Sequence, residues 1–174
     1  METNITETFK KIYEEQSDSI FLFCLTRVSN REQALDITQE TFLRLWKSFL
    51  EDKKVLNHKA FLFAIAHHLI IDWYRKKKSI SLDKIINNEK ESYDVPDEKT
   101  IDNIEVGAEG RFLLEKINEL TPTYKESVYL RYVENLTPQE IGNILNISAN
   151  AAGVRVNRGL EELRKITGYN NLEK

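Results

Sequence analysis

The chain has 174 residues, which is room for one ordinary domain or two small ones. Hydrophobic residues make up 41% of it and charged residues 30%, a balance that excludes fibrous and membrane proteins. The formal net charge of −3 argues at first sight against a nucleic-acid binder, but a mean charge says nothing about its distribution along the chain. The single cysteine excludes an intrachain disulfide. The sequence opens on no signal-peptide pattern and has no apolar stretch long enough for a bilayer, so we expect a soluble cytoplasmic protein.

Residues 1–78 have the periodicity of three helices. Over residues 6–28, apolar side chains recur at three- and four-residue steps. Ser29 and Glu32 match a capping box, which predicts the start of a second helix at this point. Its predicted inward face consists of Leu35, Thr38, Phe42, Leu45 and Phe49. Asn57 can cap a third helix, which we expect to end in the four cations of residues 75–78, where the helix dipole favours positive charge.

The negative charge is concentrated in residues 79–110. That segment holds 3 Lys/Arg and 9 Asp/Glu, a net charge of −6, whereas residues 1–78 carry +2 and residues 111–174 carry +1. It is poor in aromatic residues and shows no sustained period, which is typical of an acidic linker that is flexible in the free protein. The charge distribution therefore predicts two small domains, residues 1–78 and 111–174, joined by this linker.

The last block has the pattern of four helices. Residues 112–120 form one amphipathic segment, and Thr121-Pro122 is a start signal for the next, with Val128, Leu130 and Tyr132 as its apolar positions. Thr137-Pro138 with Glu140 repeats that signal as a full capping box.

The final two predicted helices are joined by residues 146–148. Asn146 can adopt the left-handed conformation that such a turn needs, and Ser148 can cap the last helix. Two short helices on a three-residue turn, the second with outward polar and cationic side chains, are typical of a helix-turn-helix that reads the DNA major groove. An ordinary helical hairpin is the structural alternative.

The two blocks resemble the extracytoplasmic-function (ECF) group of sigma-70-type RNA polymerase sigma factors. Three strings carry the resemblance in the family's order: residues 34–46 (ALDITQETFLRLW), residues 61–66 (FLFAIA) and residues 136–142 (LTPQEIG). The resemblance implies an all-α protein. It would have a three-helix sigma2-like domain in residues 1–78 and a four-helix sigma4-like domain with a helix-turn-helix in residues 111–174.

The resemblance also implies three binding surfaces and no catalytic site, metal or cofactor. The second helix would contact core RNA polymerase through Asp36, Gln39, Glu40, Leu43 and Trp46. The third helix and the loop before it would open and hold the promoter's minus-ten element through Lys53, Lys54, Asn57, His58, Lys59, Phe61, His68, Arg75, Lys76 and Lys77. The last helix would bind the minus-thirty-five element through Ser148, Asn150, Ala151, Gly153, Arg155, Asn157 and Arg158.

The implied partners are core RNA polymerase and promoter DNA. In the family an anti-sigma protein, often membrane-bound, commonly covers the same surfaces, and we expect the free chain to be a monomer. Because neither block is strongly basic, counterion release alone gives the chain a weak hold on DNA. We therefore expect it to bind promoters mainly together with the polymerase.

Two other functions are compatible with parts of the sequence. A stand-alone helix-turn-helix regulator would need only the last block. A metal-dependent helical hydrolase would use His67, His68 and Asp72, which lie close together on one predicted helix. The chain also departs from the family's usual residues: Phe61 stands where tryptophan is common, and His68 stands where asparagine is common.

Overall fold

The computed structural model describes residues 2–86 and 107–168, which fold into seven α-helices without a strand among them. The chain divides into two units, residues 1–104 and residues 105–174. This confirms the predicted all-α class with two helical parts. The acidic linker predicted for residues 79–110 lies, over residues 87–106, outside the described residues. No helix in the described part is both long enough and apolar enough to cross a membrane.

The N-terminal unit is a bundle of three helices, α1 (Glu2–Val28), α2 (Arg31–Leu50) and α3 (His58–Ile86). Each of the three packs against the other two. Phe23 of α1 and Phe63 of α3 meet edge to face, with ring centroids 5.0 Å apart. The fully enclosed side chains around this pair are Ile20, Cys24, Leu45, Leu62 and Ala66. Of the predicted inward face of α2, Thr38, Phe42 and Leu45 are buried, Phe49 is half-buried, and Leu35 is exposed.

The second helix begins differently from the prediction. Its N-cap is Asn30, whose side-chain oxygen accepts a hydrogen bond from the Gln33 backbone N–H at 3.0 Å. The predicted cap, Ser29, has φ of 52°, which lies in the left-handed region. A capping residue needs an extended backbone, so the capping box predicted at Ser29 and Glu32 is wrong by one position.

The third helix begins as predicted and ends later. Asn57 accepts the Ala60 backbone N–H at 3.0 Å, which confirms it as the cap. The helix continues to Ile86, eight residues beyond the predicted end at Lys78. Residues 79–86 (SISLDKII) contain neither glycine nor proline, so nothing in the backbone ends the helix at the cationic run.

The C-terminal unit contains α4 (Ala108–Asn118), α5 (Pro122–Tyr132), α6 (Pro138–Leu145) and α7 (Ala149–Thr167). Helix α7 is its centre, because α4, α5 and α6 all pack against it. On α5 the buried aromatic residue is Tyr129, and Tyr132 is 52% exposed, so the prediction that Tyr132 faces inward is wrong. Tyr132 is the last residue of α5, and its side chain is not covered by a neighbouring helix although it fits the apolar period.

Two glycines allow α7 to pack closely. A Cβ at Gly159 would lie 2.4 Å from Cγ2 of Val128 on α5, and a Cβ at Gly142 would lie 2.7 Å from the Ile147 carbonyl oxygen. Both distances are shorter than a real carbon contact, so these positions admit no side chain without movement. The close approach of α5 and of the turn before α7 therefore depends on Gly159 and Gly142.

Candidate functional site

The first candidate surface is the outward face of α2. Asp36, Gln39 and Leu43 are exposed, and Glu40 is half-buried and bonded to Arg44 at 2.8 Å. These four side chains lie on one stripe, as their three- and four-residue spacing requires. Leu43 leaves 45% of its surface in water at the C-terminal end of the stripe. An apolar side chain surrounded by acceptors is typical of a protein-binding face.

Two residues near this stripe differ from the prediction in their surroundings. Trp46 is half-buried because its ring packs edge to face on Phe9 of α1, with centroids 5.1 Å apart. Leu35, which the periodicity placed inward, is 40% exposed beside Asp36. The apolar part of the α2 face is therefore larger than predicted, and only one edge of Trp46 can contribute to it.

Helix α1 carries two exposed ion pairs on its surface. Lys10 lies 3.8 Å from Glu14, and Lys11 lies 3.9 Å from Glu15. We call these four residues the α1 ion pairs. Exposed pairs of this kind contribute little to stability, which makes them useful as control positions.

The second candidate surface begins at the loop between α2 and α3. Lys53, Lys54 and Asn57 are exposed there, as predicted. Lys53 lies 2.6 Å from Glu51, and this contact lowers the pKa of the Glu51 carboxyl. Leu56, which the sequence did not single out, is completely exposed. The loop therefore presents cations together with one unsupported apolar side chain.

An open depression of about 310 Å³ lies between this loop and α1. Its lining residues are Ile12, Glu15, Gln16, Leu56, Asn57, His58 and Lys59. The buried Oε1 of Gln16 has no hydrogen-bond partner within the described residues. His58 and Lys59 are each half-buried. The depression therefore combines a buried acceptor with donors from the start of α3.

Most of the predicted DNA-binding residues on α3 lie at its surface. His68, Arg75, Lys76 and Lys77 are exposed, and Phe61 is half-buried. The ammonium of Lys77 lies 5.1 Å from the centroid of the Trp73 ring.

Tyr74 completes the aromatic part of this surface. Its ring centroid is 4.9 Å from that of Trp73, it is 48% exposed, and its hydroxyl donates to the Arg27 carbonyl at the end of α1. Residues 73–77 of α3 thus carry partly exposed rings beside consecutive cations.

The third candidate surface belongs to the helix-turn-helix of α6 and α7. Thr137 and Glu140 form the predicted capping box at the start of α6. Asn146 is left-handed with φ of 54°, and the Ser148 hydroxyl accepts the Ala151 backbone N–H at 3.1 Å. The turn prediction is therefore confirmed at both of its ends.

The predicted residues of α7 lie on a continuous outer face. Asn150, Asn157 and Arg158 are exposed, whereas Ala151, Gly153 and Arg155 are partly covered. The sequence interpretation left out Val154, which is 41% exposed between Asn150 and Asn157. Its position four residues after Asn150 was the available signal.

In the C-terminal half of α7, the Glu162 carboxylate forms hydrogen bonds with Thr121 at the start of α5. Oε1 of Glu162 accepts hydrogen bonds from the backbone N–H and the hydroxyl of Thr121, at 2.7 Å and 2.9 Å. Thr121 occupies the N-cap of α5 as predicted, but its side chain caps no backbone N–H and donates to Glu162 instead. This contact fixes the orientation of the recognition helix on its support.

Metal and nucleophile chemistry find no support among the described residues. No three His, Cys, Asp or Glu side chains in residues 2–86 and 107–168 are grouped so that they could hold a metal ion. His67 is buried in α3 while His68 is exposed. Burial raises the pKa of the Cys24 thiol to about 11, which keeps it protonated and unreactive at neutral pH. The hydrolase alternative therefore has no site in this part of the chain.

Comparison with known proteins decides the family. The sigma-70 region 2 model matches residues 12–80, and the sigma-70 region 4 model matches residues 113–163. The ECF RNA polymerase sigma factor SigW of Bacillus subtilis (strain 168) is 32% identical over 167 residues, which cover 91% of this chain and 88% of SigW. The chain belongs to the ECF sigma factors. It therefore binds core RNA polymerase and directs transcription initiation at promoters.

Other relatives of this ECF sigma factor agree in length and fold. SigX of Bacillus subtilis (strain 168) is 27% identical over 161 residues, covering 91% of this chain and 83% of SigX. The solved structure of the sigma factor RpoE in complex with the anti-sigma factor NepR from Bartonella quintana has a TM-score of 0.71 at 18% identity. It covers 95% of this chain and 99% of that one. CnrH, solved in complex with the cytosolic domain of CnrY, has a TM-score of 0.59 at 17% identity. The match covers 95% of this chain and 91% of CnrH.

Proposed function

We propose that this ECF sigma factor divides its work among the three surfaces described above. The α2 face contacts core RNA polymerase, the loop and surface of α3 hold the minus-ten element, and α7 binds the minus-thirty-five element. The single observation that carries the proposal is that each of the three surfaces presents exposed predicted side chains, among them Asp36 on α2, Lys76 on α3 and Asn150 on α7. The chain itself catalyses no reaction, and it works in the cytoplasm, where polymerase and promoters are found.

The polymerase contact rests on the composition of the α2 face. Asp36 and Glu40 present carboxylates beside the exposed side chains of Leu35 and Leu43. A partner surface that offers arginine would satisfy the carboxylates through charge-assisted hydrogen bonds. The two leucines would form the apolar centre that such interfaces bury. Because Glu40 already bonds Arg44 within α2, we expect Asp36 to be the more available carboxylate.

The minus-ten contact rests on cations and rings in one place. Single-stranded DNA needs positive charge along its backbone and flat surfaces for its bases. Arg75, Lys76 and Lys77 supply the charge, and the half-exposed ring of Tyr74 supplies a flat surface beside them. We keep the predicted division into residues 1–78, 79–110 and 111–174, although α3 continues to Ile86 and α4 begins at Ala108, so that the separating acidic segment is shorter than predicted.

The depression beside the loop is suited to an extruded base. A base taken out of the stack must be recognised by hydrogen bonds to its edge and by packing on its face. Gln16 lines the depression and can turn its buried, unpaired Oε1 toward an exocyclic amine, and Leu56 can pack on the ring. We therefore assign base capture to this depression, next to the predicted loop residues Asn57, His58 and Lys59.

The minus-thirty-five contact rests on the capped start of α7. A helix-turn-helix directs the first turns of its second helix at base edges. Asn150 and Asn157 are exposed there and can read bases, and the exposed Arg158 can contact bases or phosphates. The Ser148 side chain caps the backbone, so its role at the DNA would be to position the helix.

We also propose an anti-sigma partner for this chain. Both RpoE and CnrH were solved with a partner of their own. The exposed apolar side chains of the α2 face would be covered by such a protein when the polymerase is absent. We expect the free chain to be a monomer, and no cofactor or metal enters its function.

Transcription with purified components tests the proposal. Core RNA polymerase and the full chain are mixed with a promoter library, and the transcript starts are sequenced. We expect promoter-specific starts that are lost in Asp36→Ala/Glu40→Ala. The matched control, Glu7→Ala/Glu14→Ala, replaces two exposed glutamates of α1 that do not line the depression, which removes the same charge from another face and should leave the starts unchanged.

The outcomes separate the candidate functions. Starts that survive the α2 substitutions overturn the assignment of the polymerase contact to this face. Tight specific binding of duplex promoter DNA by the chain alone, with no dependence on polymerase, would instead support a stand-alone regulator. Loss of starts in the control variant as well would show that general acidity, and not the α2 face, governs docking.

A further inference from the structure

One stripe of the outer face of α7 is made of short side chains. Asn150, Val154 and Asn157 follow one another at steps of four and three residues, and all three are exposed. Val154 lies in the middle of this stripe with 41% of its surface in water. A single exposed aliphatic residue is ordinary on a protein surface. Here it occupies the stripe that a helix-turn-helix inserts into the major groove.

The glycine next to Val154 has no packing role. A Cβ at Gly153 would meet no atom within 4 Å, in contrast to the tight contacts that a Cβ would meet at Gly142 and Gly159. A glycine inside a helix is unfavourable relative to alanine, so the fold gains nothing from it. A missing side chain does allow the backbone to come close to a ligand. Short side chains such as valine need this close approach in order to reach base edges.

We propose that Val154 recognises a thymine of the minus-thirty-five element by packing against its 5-methyl group, and that Gly153 allows the helix to come close enough. The thymine methyl is the one apolar group that a base pair displays in the major groove. Valine has no donor or acceptor, so its contact distinguishes this pair by shape and hydrophobicity alone. The inference rests on the proposed minus-thirty-five contact and specifies which base that contact selects.

Removal of one methyl group from the DNA tests the inference directly. The minus-thirty-five preference of the reconstituted polymerase is first determined with the promoter library. Each thymine of that element, on either strand, is then replaced singly by deoxyuridine, which lacks only the methyl. We expect one position at which promoter binding weakens about fourfold, the value of one buried methyl group.

The matching protein variant is Val154→Ala. It should bind the thymine and deoxyuridine promoters equally at that position, because the partner of the methyl is gone. Leu113→Ala is the control, since it truncates another exposed aliphatic residue, 39% exposed on α4, and should keep the full deoxyuridine penalty. Thermal melting of all variants establishes that the exposed substitutions leave the fold intact.

Three results would overturn the inference. A deoxyuridine penalty that persists in Val154→Ala removes the valine contact. A clear minus-thirty-five preference without any methyl-sensitive thymine removes it too, while the proposed function stands. The absence of any minus-thirty-five preference in the wild-type chain rejects the proposed contact of α7 itself.

A second variant tests the role of Gly153. Gly153→Ala should raise the melting temperature, because alanine favours the helix and meets no clash. It should at the same time weaken minus-thirty-five binding and reduce the deoxyuridine penalty, since the added methyl holds the helix away from the groove. Unchanged binding in this more stable variant would refute the close approach.

Discussion

The packing of α7 against α5 can be tested by a substitution at Gly159. Alanine there would place its Cβ 2.4 Å from Cγ2 of Val128, a side chain with no exposed surface. Carbon atoms in ordinary contact are about 3.5–4.0 Å apart, so the overlap exceeds 1 Å. Overpacking of this kind costs about 1–3 kcal/mol, while the change from glycine to alanine favours the helix by about 1 kcal/mol. We expect Gly159→Ala to reduce the free energy of unfolding of this unit by about 0–2 kcal/mol.

A second substitution should reverse that effect. Val128→Ala alone removes buried methyl groups and destabilises the unit by about 2 kcal/mol. In the Val128→Ala background the clash is gone, so Gly159→Ala should stabilise by about 1 kcal/mol through its helix preference. The Tyr124 Cβ, 3.1 Å from the new methyl, needs only a small shift. The two substitutions should therefore be coupled by about 1–3 kcal/mol.

Urea unfolding of the full chain measures this coupling. Both tryptophans, Trp46 and Trp73, belong to the N-terminal unit, so tryptophan fluorescence follows that unit and serves as an internal control. Far-UV circular dichroism follows both units. The fluorescence transition should be the same in all four proteins, while the circular dichroism transition of the C-terminal unit shifts. If Gly159→Ala has the same effect in both backgrounds, the packing argument is refuted.

Three further predictions concern other parts of the chain. Thr137→Ala should destabilise the C-terminal unit by about 1 kcal/mol through loss of the capping box, and Thr137→Ser should recover most of this in thermal melts. For promoter binding, log affinity falls with log salt concentration, and Lys76→Ala/Lys77→Ala should make this fall less steep by about 1.5. Alanine at Lys10 and Lys11, the lysines of the α1 ion pairs, should leave the steepness unchanged. Cys24 should resist alkylation at pH 8 until the protein unfolds. Because burial raises the pKa of its thiol to about 11, the unfolded chain ionises first as pH rises above 9.0, and stability should fall over this interval in the wild type but not in Cys24→Ala.

The sequence predicted helix type and core well because both depend on local pattern. Asn57, Thr137 and Ser148 were recognised as caps, and each accepts the expected backbone hydrogen bond. The failures occur where a neighbouring residue competes. Ser29 and Asn30 are both good capping residues, and only the left-handed backbone of Ser29 decides between them. Composition alone contains no information on that choice.

Surface positions were predicted less completely because the partner helix decides them. Leu35 and Tyr132 fit the apolar period of their helices, yet each is left exposed. Val154 was not among the predicted DNA contacts, because the residues chosen there were mainly polar or cationic. The roles of the exposed polar residues remain predictions, because those roles depend on partners whose contacts lie beyond the chain itself.

Helix α7 packs against the rest of its unit with one side and presents the proposed DNA-contacting residues on another. Its packing side depends on Gly159 and on the Glu162 contact with Thr121, where replacements disturb the core. Its outward side carries the exposed Val154 and Gly153, where a Cβ would meet no atom within 4 Å. Substitutions on the outward side can therefore accumulate without loss of stability. A duplicated copy of this protein could change its promoter preference in a few mutational steps while remaining folded throughout.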